Sequence, residues 1–527
     1  MTTFFTHLAN NRSLEHLEIY GDRTLLVDIF AILAPFFEFN HKLRCIEIVG
    51  NCFAKRFQSL ISALQRSKTN CLERISVSSC CVRDYDLALL INALNAKPGL
   101  NNLSELCLVG NKLDKLGCFE LGVLLKNPTS GIQCLNLCQN VINDEGIVYL
   151  VLGLLENRTL KSLDLSDVGS LSSESWRVLS IFLRSPNCLL ESLSIRGDSD
   201  IDDEGATYLG DAFSANNTLK CLDFSENQSI SSYGWQQIAK CLPGAILEDL
   251  SLSECSIDDD GALPLFVALA ANTSLKTLCM SNIDSITEEG WNACLPFLRD
   301  SGALFEGLVL SEININCIGA RQVVDMVANI KSTVVYLHMY GIAVTASELS
   351  IFSNVMQAGS SSKLTELCIG SARRQRSNRR PKVLHDDVIR GFATALANNT
   401  TLKILEVTNI NLSSSGLSAL TDVLCDKSDG VNSIFNSNHV LHNFCCDDHD
   451  KYPQALDSLL SVNKNENKEE VVHQKIVAHY LSDMETSGHV FGSMPETTLP
   501  TAIGWIGRDR HGYSAMFCLV RNMILNF

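Results

Sequence analysis

The sequence predicts an α/β solenoid: a horseshoe of stacked units, with parallel strands on the concave face, helices on the convex face and a helical cap at the C-terminal end. Three observations lead there. The motif L-x-x-L-x-L returns about every 29 residues. Several of its matches are followed by a short acidic segment that opens an amphipathic stretch. The rhythm is then lost over about the last 80 residues. A fixed period of this length marks one supersecondary unit, repeated until neighbouring units bury one another.

Fourteen matches begin at Leu14, Leu43, Leu72, Leu103, Ile132, Leu160, Leu190, Leu219, Leu247, Leu275, Phe305, Val334, Leu364 and Leu402. Their first, fourth and sixth positions are apolar without exception, in a chain that is 46% apolar. The alternation of Leu106 and Leu108 with outward residues is the period of a strand. Strand, helix and next parallel strand make one right-handed turn. Strands stack about 4.8 Å apart and helices roughly 10 Å, so the stack bends with the strands inside. A degraded fifteenth unit is expected at Val431. Residues 1–440 therefore form the solenoid, with 14 to 15 repeats, and residues 441–527 form the cap.

Helix starts share a spelling. Ile142-Asn-Asp-Glu-Gly146, Ile201-Asp-Asp-Glu-Gly205, Ile257-Asp-Asp-Asp-Gly261 and Ile286-Thr-Glu-Glu-Gly290 each place an aliphatic residue before an Asn, Asp or Thr cap. Acids follow in the first turn, where the helix dipole favours them. Ile230-Ser-Ser-Tyr-Gly234 and Leu412-Ser-Ser-Ser-Gly416 are weaker versions. Runs such as Asp258-Asp259-Asp260 have the look of a cation site, but their recurrence at one repeat position makes them caps. Helix ends are also alike, as in Ala215-Asn-Asn-Thr-Leu219 and Ala397-Asn-Asn-Thr-Thr-Leu402.

These residues resemble the leucine-rich repeat proteins of the ribonuclease-inhibitor-like subclass, over about residues 1 to 440. That family has a ladder position after each strand, normally Asn or Cys. Asn51, Cys80, Asn111, Asn140, Asn227 and Cys255 stand there in this chain. The resemblance implies that their side chains satisfy the backbone of the turn leaving the strand. Ile283, Ile313, Ile342 and Ile410 take the position later in the chain, with Asn282 and Asn409 one place earlier, so altered turn geometry is expected there. The tail, around Leu499 to Gly512 and on to Phe527, is similar to that of uncharacterised algal leucine-rich repeat proteins. It reads as two short apolar helices around a glycine-bounded turn. Before it, the polar run Asn463 to Glu470 precedes an amphipathic helix around Val471 to Leu481.

Charge and cysteines bound the partners. The net charge is −17, which favours a basic partner and repels nucleic acid and anionic lipid. The 21 cysteines follow no paired spacing, and Met1 to Arg12 has no leader-like pattern. Leu25 to Phe39 is too short and too polar to cross a bilayer. A cytoplasmic monomer with reduced thiols is the expectation.

Outward strand positions lie two, four and six residues after each repeat start. The middle column carries the acids Glu18, Glu47, Asp164, Asp223 and Glu406 and no Lys or Arg. Tyr336, His338 and Tyr340 share one strand of this wall and are the expected partner-binding cluster. Cys45, Cys107, Cys134, Cys138, Cys221, Cys279 and Cys368 face the same way. The interval from Leu364 to Leu402 holds an insertion, residues 371–382, with Arg373, Arg374, Arg376, Arg379, Arg380 and Lys382. Such a loop suits nuclear targeting or an acidic partner. His439, His442, Cys445, Cys446 and His449 are zinc-ligand types without a zinc-finger spacing, so no metal is expected.

No phosphate loop, nucleophile elbow or paired C-x-x-C is present. The sequence thus reads as a non-catalytic protein-interaction scaffold that needs no cofactor. A second reading is a GTPase-activating regulator similar to the leucine-rich activators of Ran. Lys55 and Arg56 resemble the basic loop residues of those proteins, whose acidic tail is missing here.

Overall fold

The computed structural model describes residues 7–478, apart from 22–27, 51–56, 68–70, 97–101, 198–200, 300–304, 329–331, 343, 346–347, 358–362, 372–384, 411, 429, 447–453, 466 and 477. The chain divides into two compact units, Met1–Gly290 with Ser301–Ala303, and Trp291–Asp300 with Leu304–Phe527.

In the first unit ten strands lie parallel and in chain order: β1 His16–Tyr20, β2 Cys45–Val49, β3 Arg74–Ser78, β4 Glu105–Cys107, β5 Cys134–Asn136, β6 Ser162–Asp164, β7 Ser192–Ser194, β8 Cys221–Asp223, β9 Asp249–Ser251 and β10 Thr277–Cys279. From β4 onward each strand is three residues long, and only its central residue is buried. These central residues, Leu106, Leu135, Leu163, Leu193, Leu222, Leu250 and Leu278, pair with one another in register. The apolar helix faces, with Leu121, Leu150, Leu179, Leu209 and Leu265, supply more of the buried core. The repeat register read from the leucines is the register of the sheet.

Two sets of asparagines bind repeat to repeat. Asn111 is buried, and its amide donates to Val77 O at 2.7 Å and Leu108 O at 2.9 Å. Its side-chain oxygen accepts from the backbone of Cys80 and Val82. Asn140 repeats the pattern one unit later, and Cys80 and Cys255 donate to Ile48 O and Phe224 O from the same position. A second set closes the helix ends. Asn157, Asn216 and Asn272 donate to Leu125 O, Leu183 O and Leu242 O of the preceding repeat. Their oxygens accept from Leu160, Leu219 and Leu275, the residues that open the next strand motif.

The acidic runs are caps. Asn143, Asp202 and Asp258 accept from the backbone N–H of Gly146, Gly205 and Gly261 at 2.8 to 3.0 Å. The next acid has a further use. Asp203 accepts from the backbone and hydroxyl of Ser231, and Asp259 does so from Thr287, each partner being the cap of the following helix. Asp144 joins Ser172 and Ser175 likewise. Burial works to raise the Asp144 pKa, but these bonds hold it below the ordinary value. Consecutive caps are thereby chained together.

The second unit has β11 Gly307–Val309, β12 Tyr336–Ile342, β13 Glu366–Ser371, β14 Ile404–Thr408 and β15 Asn443–Cys446, again parallel and in chain order. Here the fifteenth repeat departs from the sequence expectation. Val431 lies in an extra helix, Gly430–Asn436, and the strand motif is instead Leu441, Phe444 and Cys446, all buried. The isoleucine-bearing repeats keep the left-handed residue of the other turns, but at Ile342 the ladder shifts register between Met339 and Ile342. Asn282 and Asn409 adopt φ of 54° and 58°, as do Gln139, Asp167, Glu226 and Glu254 at the same repeat position, with φ of 53° to 62°. One left-handed residue leaves each of these strands whether Asn or Ile follows it. Ile283, Ile313, Ile342 and Ile410 are simply buried.

The tail is described as far as residue 478. Helices Gln454–Val462 and Lys468–Ile476 follow β15, the second with Val471, Val472, Lys475 and Ile476 buried. The segment from Leu499 onward lies outside the described residues. Among the described residues no helix is long and apolar enough to cross a membrane.

Candidate functional site

Strand alternation puts the predicted middle column on one face of each unit. In the first unit Glu18 pairs with Glu47, Asn136 with Asp164, and Ser194 with Asp223, each directly across a parallel ladder. Tyr20 lies within reach of Glu47 and Glu18, whose charges raise its pKa. Asp164 and Asp223 are partly occupied with their own backbone, accepting from the N–H of Ser166 at 3.0 Å and Ser225 at 3.1 Å. Those N–H groups face the wall because the chain turns immediately after a three-residue strand. Sequence reading missed this duty. It also missed a rim of cross-repeat ion pairs one residue after the repeat starts, including Arg44–Glu73, Lys161–Glu191 and Lys276–Glu248. All three are exposed, so they contribute little stability, but they cancel charge along that edge.

In the second unit Tyr336, His338 and Tyr340 alternate with buried Leu337 and Met339 along β12. Their ring centroids are 5.6 and 6.3 Å apart, with tilted planes. Tyr336 lies over Gly307, its partner across the ladder, where an added Cβ would run into the ring. That close approach explains the glycine. His338 Nε2 lies 2.8 Å from Glu366 Oε1 on β13. Cys368 pairs with His338 in register and donates to the same Glu366 oxygen at 3.7 Å. Cys368 and Glu406 lie beside the Tyr340 hydroxyl, and burial together with these neighbours raises its pKa. Of the sequence-nominated residues, the structure brings together Tyr336, His338, Tyr340 and Glu406. Glu18, Glu47, Asp164 and Asp223 belong to the first unit.

Cys368 is not the open thiol expected from its column. It is 2% exposed, covered by this cluster, and burial pushes its thiol up to about 12. Burial also raises Cys45 and Cys134 and, with Asp249 at 3.2 Å, pushes Cys221 to about 11. Protonated thiols of this kind are poor nucleophiles. No disulfide joins cysteines among the described residues.

The basic residues Arg373, Arg374, Arg376, Arg379, Arg380 and Lys382 lie outside the described residues, as do Lys55 and Arg56. In the chain the loop stands between β13 and the helix Asp386–Leu396. Farther along, His439 is turned inward. Its Nδ1 accepts from Lys475 Nζ at 3.0 Å, and the same ammonium donates to Leu424 O and Asn438 O. Burial lowers His439 to about 4 and Lys475 to about 7. His439, His442, Cys445 and Cys446 do not converge as metal ligands among the described residues.

One further surface was missed from sequence. Leu116, Phe119 and Val123 on the helix Lys115–Lys126, with Val148, Tyr149 and Leu152 on Asp144–Leu154, are exposed on the helical side of the first unit. Phe119 and Tyr149 meet edge to face at 5.6 Å. The i, i+3, i+7 spacing was legible, but both helix faces are apolar and the leucine motif claimed only one.

Comparison with known proteins agrees with the geometry. A family model described as Leucine Rich repeat matches residues 215–236 and 246–266. The ribonuclease inhibitor of Mus musculus is 29% identical over 244 residues, which covers 46% of this chain and 52% of the mouse protein. The Sus scrofa ribonuclease inhibitor is 32% identical over 211 residues, covering 40% and 45%. This chain is built of leucine-rich repeats, similar to those of the ribonuclease inhibitors. NACHT, LRR and PYD domains-containing protein 13 of Homo sapiens is 29% identical over 244 residues, 45% of this chain and 22% of that protein. The chain thus spans about half or less of the curated relatives it matches.

Proposed function

We propose that the chain is a non-catalytic protein-interaction scaffold that takes a basic protein on the strand face of its second unit, around Tyr336, His338 and Tyr340. The observation that carries this reading is the aromatic cluster itself. Three rings stand side by side on this face, next to Gly307, Glu366 and Glu406. Half-buried aromatic residues fixed before binding lose little entropy when a partner covers them. Glu366 and Glu406 beside them, and the net charge of −17, favour a positively charged partner. Proteins named ribonuclease inhibitors, the relatives above, are by name directed at another protein.

The test starts with the partner. Pull-down from native extract followed by mass spectrometry would supply candidates, and each would be titrated into the purified chain at increasing salt. Affinity should fall as salt rises. Replacing Tyr336 and Tyr340 by alanine should cost about 2 kcal/mol or more of binding energy. Binding that ignores those changes but fails in Phe119→Lys would move the site to the apolar helical surface.

The second reading, a GTPase-activating regulator, rests on Lys55 and Arg56. A GTP-hydrolysis assay with Ran tests it directly. A monomer in a reducing, cytoplasmic setting, with the 371–382 loop as a nuclear-targeting element, completes the proposal; imaging the tagged chain with and without that loop checks the location.

A further inference from the structure

We propose that His338, Glu366 and Cys368 form a binding site for one divalent transition metal of the zinc class, on the strand face of the second unit. The inference goes beyond partner binding and does not depend on it.

The three side chains each present one donor atom, and these atoms lie within 4.8 Å of one another. A tetrahedral zinc ion with bonds of about 2.0 to 2.3 Å holds its ligand atoms roughly 3.3 to 3.8 Å apart. Cys368 Sγ and Glu366 Oε1 are 3.7 Å apart, already at that spacing. His338 Nε2 and Glu366 Oε1 are 2.8 Å apart and need open by only about half an ångström. Among the described residues this is the only group of three such side chains that converges. The comparison with Cys221 is instructive. That thiol also bonds a carboxylate, Asp249, yet has no imidazole to complete a set.

The donors sit on rigid elements. His338 and Cys368 face each other across the β12–β13 ladder, and Glu366 is two residues before Cys368 on the same strand. Strand register therefore sets the spacing, as precise ligand placement requires. The Tyr340 hydroxyl lies beside both Cys368 and Glu406, which adds a polar neighbour to the sulfur beyond the three donors. Thiolate, imidazole and carboxylate together suit zinc or cobalt rather than the oxygen-seeking magnesium or calcium. Bound thiolate and carboxylate would neutralise a dication. His338 and Glu366 are about 30% exposed at their side chains, 27% and 32%, so the fourth position opens toward the face where water or a partner's side chain reaches it.

Cobalt(II) is the probe. The full chain is freed of metal with a chelator, then titrated with cobalt under reducing conditions. One equivalent should produce thiolate-to-cobalt charge-transfer absorption in the near ultraviolet and tetrahedral bands in the visible, and zinc should displace both. Cys368→Ser should remove the charge-transfer band while the far-ultraviolet dichroism stays native. His338→Asn and Glu366→Gln should each weaken binding about tenfold or more. A charge-transfer band that persists in folded Cys368→Ser would place the metal on another of the cysteines and overturn the proposal. So would the lack of any band in the unaltered chain. If Cys368→Ser does not fold, the two other variants decide: unchanged cobalt affinity in both rejects the site, and loss in both supports it.

Discussion

Asn111 makes five hydrogen bonds from a buried position, three as donor and two as acceptor. Its removal orphans carbonyls of two repeats at once. We expect Asn111→Ala to cost about 2 to 3 kcal/mol in urea unfolding, since a buried carbonyl left without a partner forfeits its full desolvation energy. A loss within a few tenths of a kcal/mol would show that the ladder is ornamental. His439 offers a pH test. Its folded pKa is depressed to about 4 by burial first and then by Lys475. The unfolded chain takes up that proton below about 6.5 while the folded chain does not. The corresponding stability is therefore fully present above pH 6.5 and is lost as the pH falls toward 4, by about 3 kcal/mol in total. His439→Gln should flatten that stretch of the stability profile, and an identical acid limb in the variant would contradict the assignment. Asn111 was legible in the sequence because its spacing from the leucines is fixed. Lys475 was not, because the acceptors Leu424 O and Asn438 O lie 51 and 37 residues away in sequence.

At the level of the element, the strand motif announces itself because every repeat must bury the same face. Leu250 shows the consequence: it is 3% exposed and pairs in register with Leu222 and Leu278. Leu250→Asp would place a carboxylate without a partner between two repeats, at a cost of several kcal/mol. The first unit should lose its cooperative melt, and a melt unchanged from the parent would mean the register is wrong. Helix caps were equally legible, since Asp202 and Asp258 serve the turn they stand in. The second use of Asp203 and Asp259 was not. Each binds the cap of the next helix, 28 residues on, and no local pattern carries that information. The fifteenth strand was misplaced for a related reason. The helix Gly430–Asn436 is inserted before it, so counting 29 residues from Leu402 lands in that helix rather than on Leu441.

For the whole molecule, repetition fixes the fold while breaks in repetition locate the candidate sites. Tyr336, His338 and Tyr340 stood out in the sequence because one strand carried three rings. Glu366 and Cys368 joined them only once the ladder between β12 and β13 was known, since His338 and Cys368 are 30 residues apart. Charge is distributed less simply than the acidic column suggested. Asp164 and Asp223 serve the backbone, and exposed ion pairs border the first unit. The acids nearest the aromatic cluster, Glu366 and Glu406, are thus the ones expected to steer a basic partner. The most direct test is a binding titration of an identified partner against three forms of the full chain: unaltered, Tyr336→Ala with Tyr340→Ala, and a form with the arginines of residues 373–380 replaced by serine. The account predicts a loss of about 2 kcal/mol or more for the tyrosine form and nearly unchanged affinity for the arginine form. Binding that survives the tyrosine changes and disappears with the arginines would contradict it and move the site to the inserted loop.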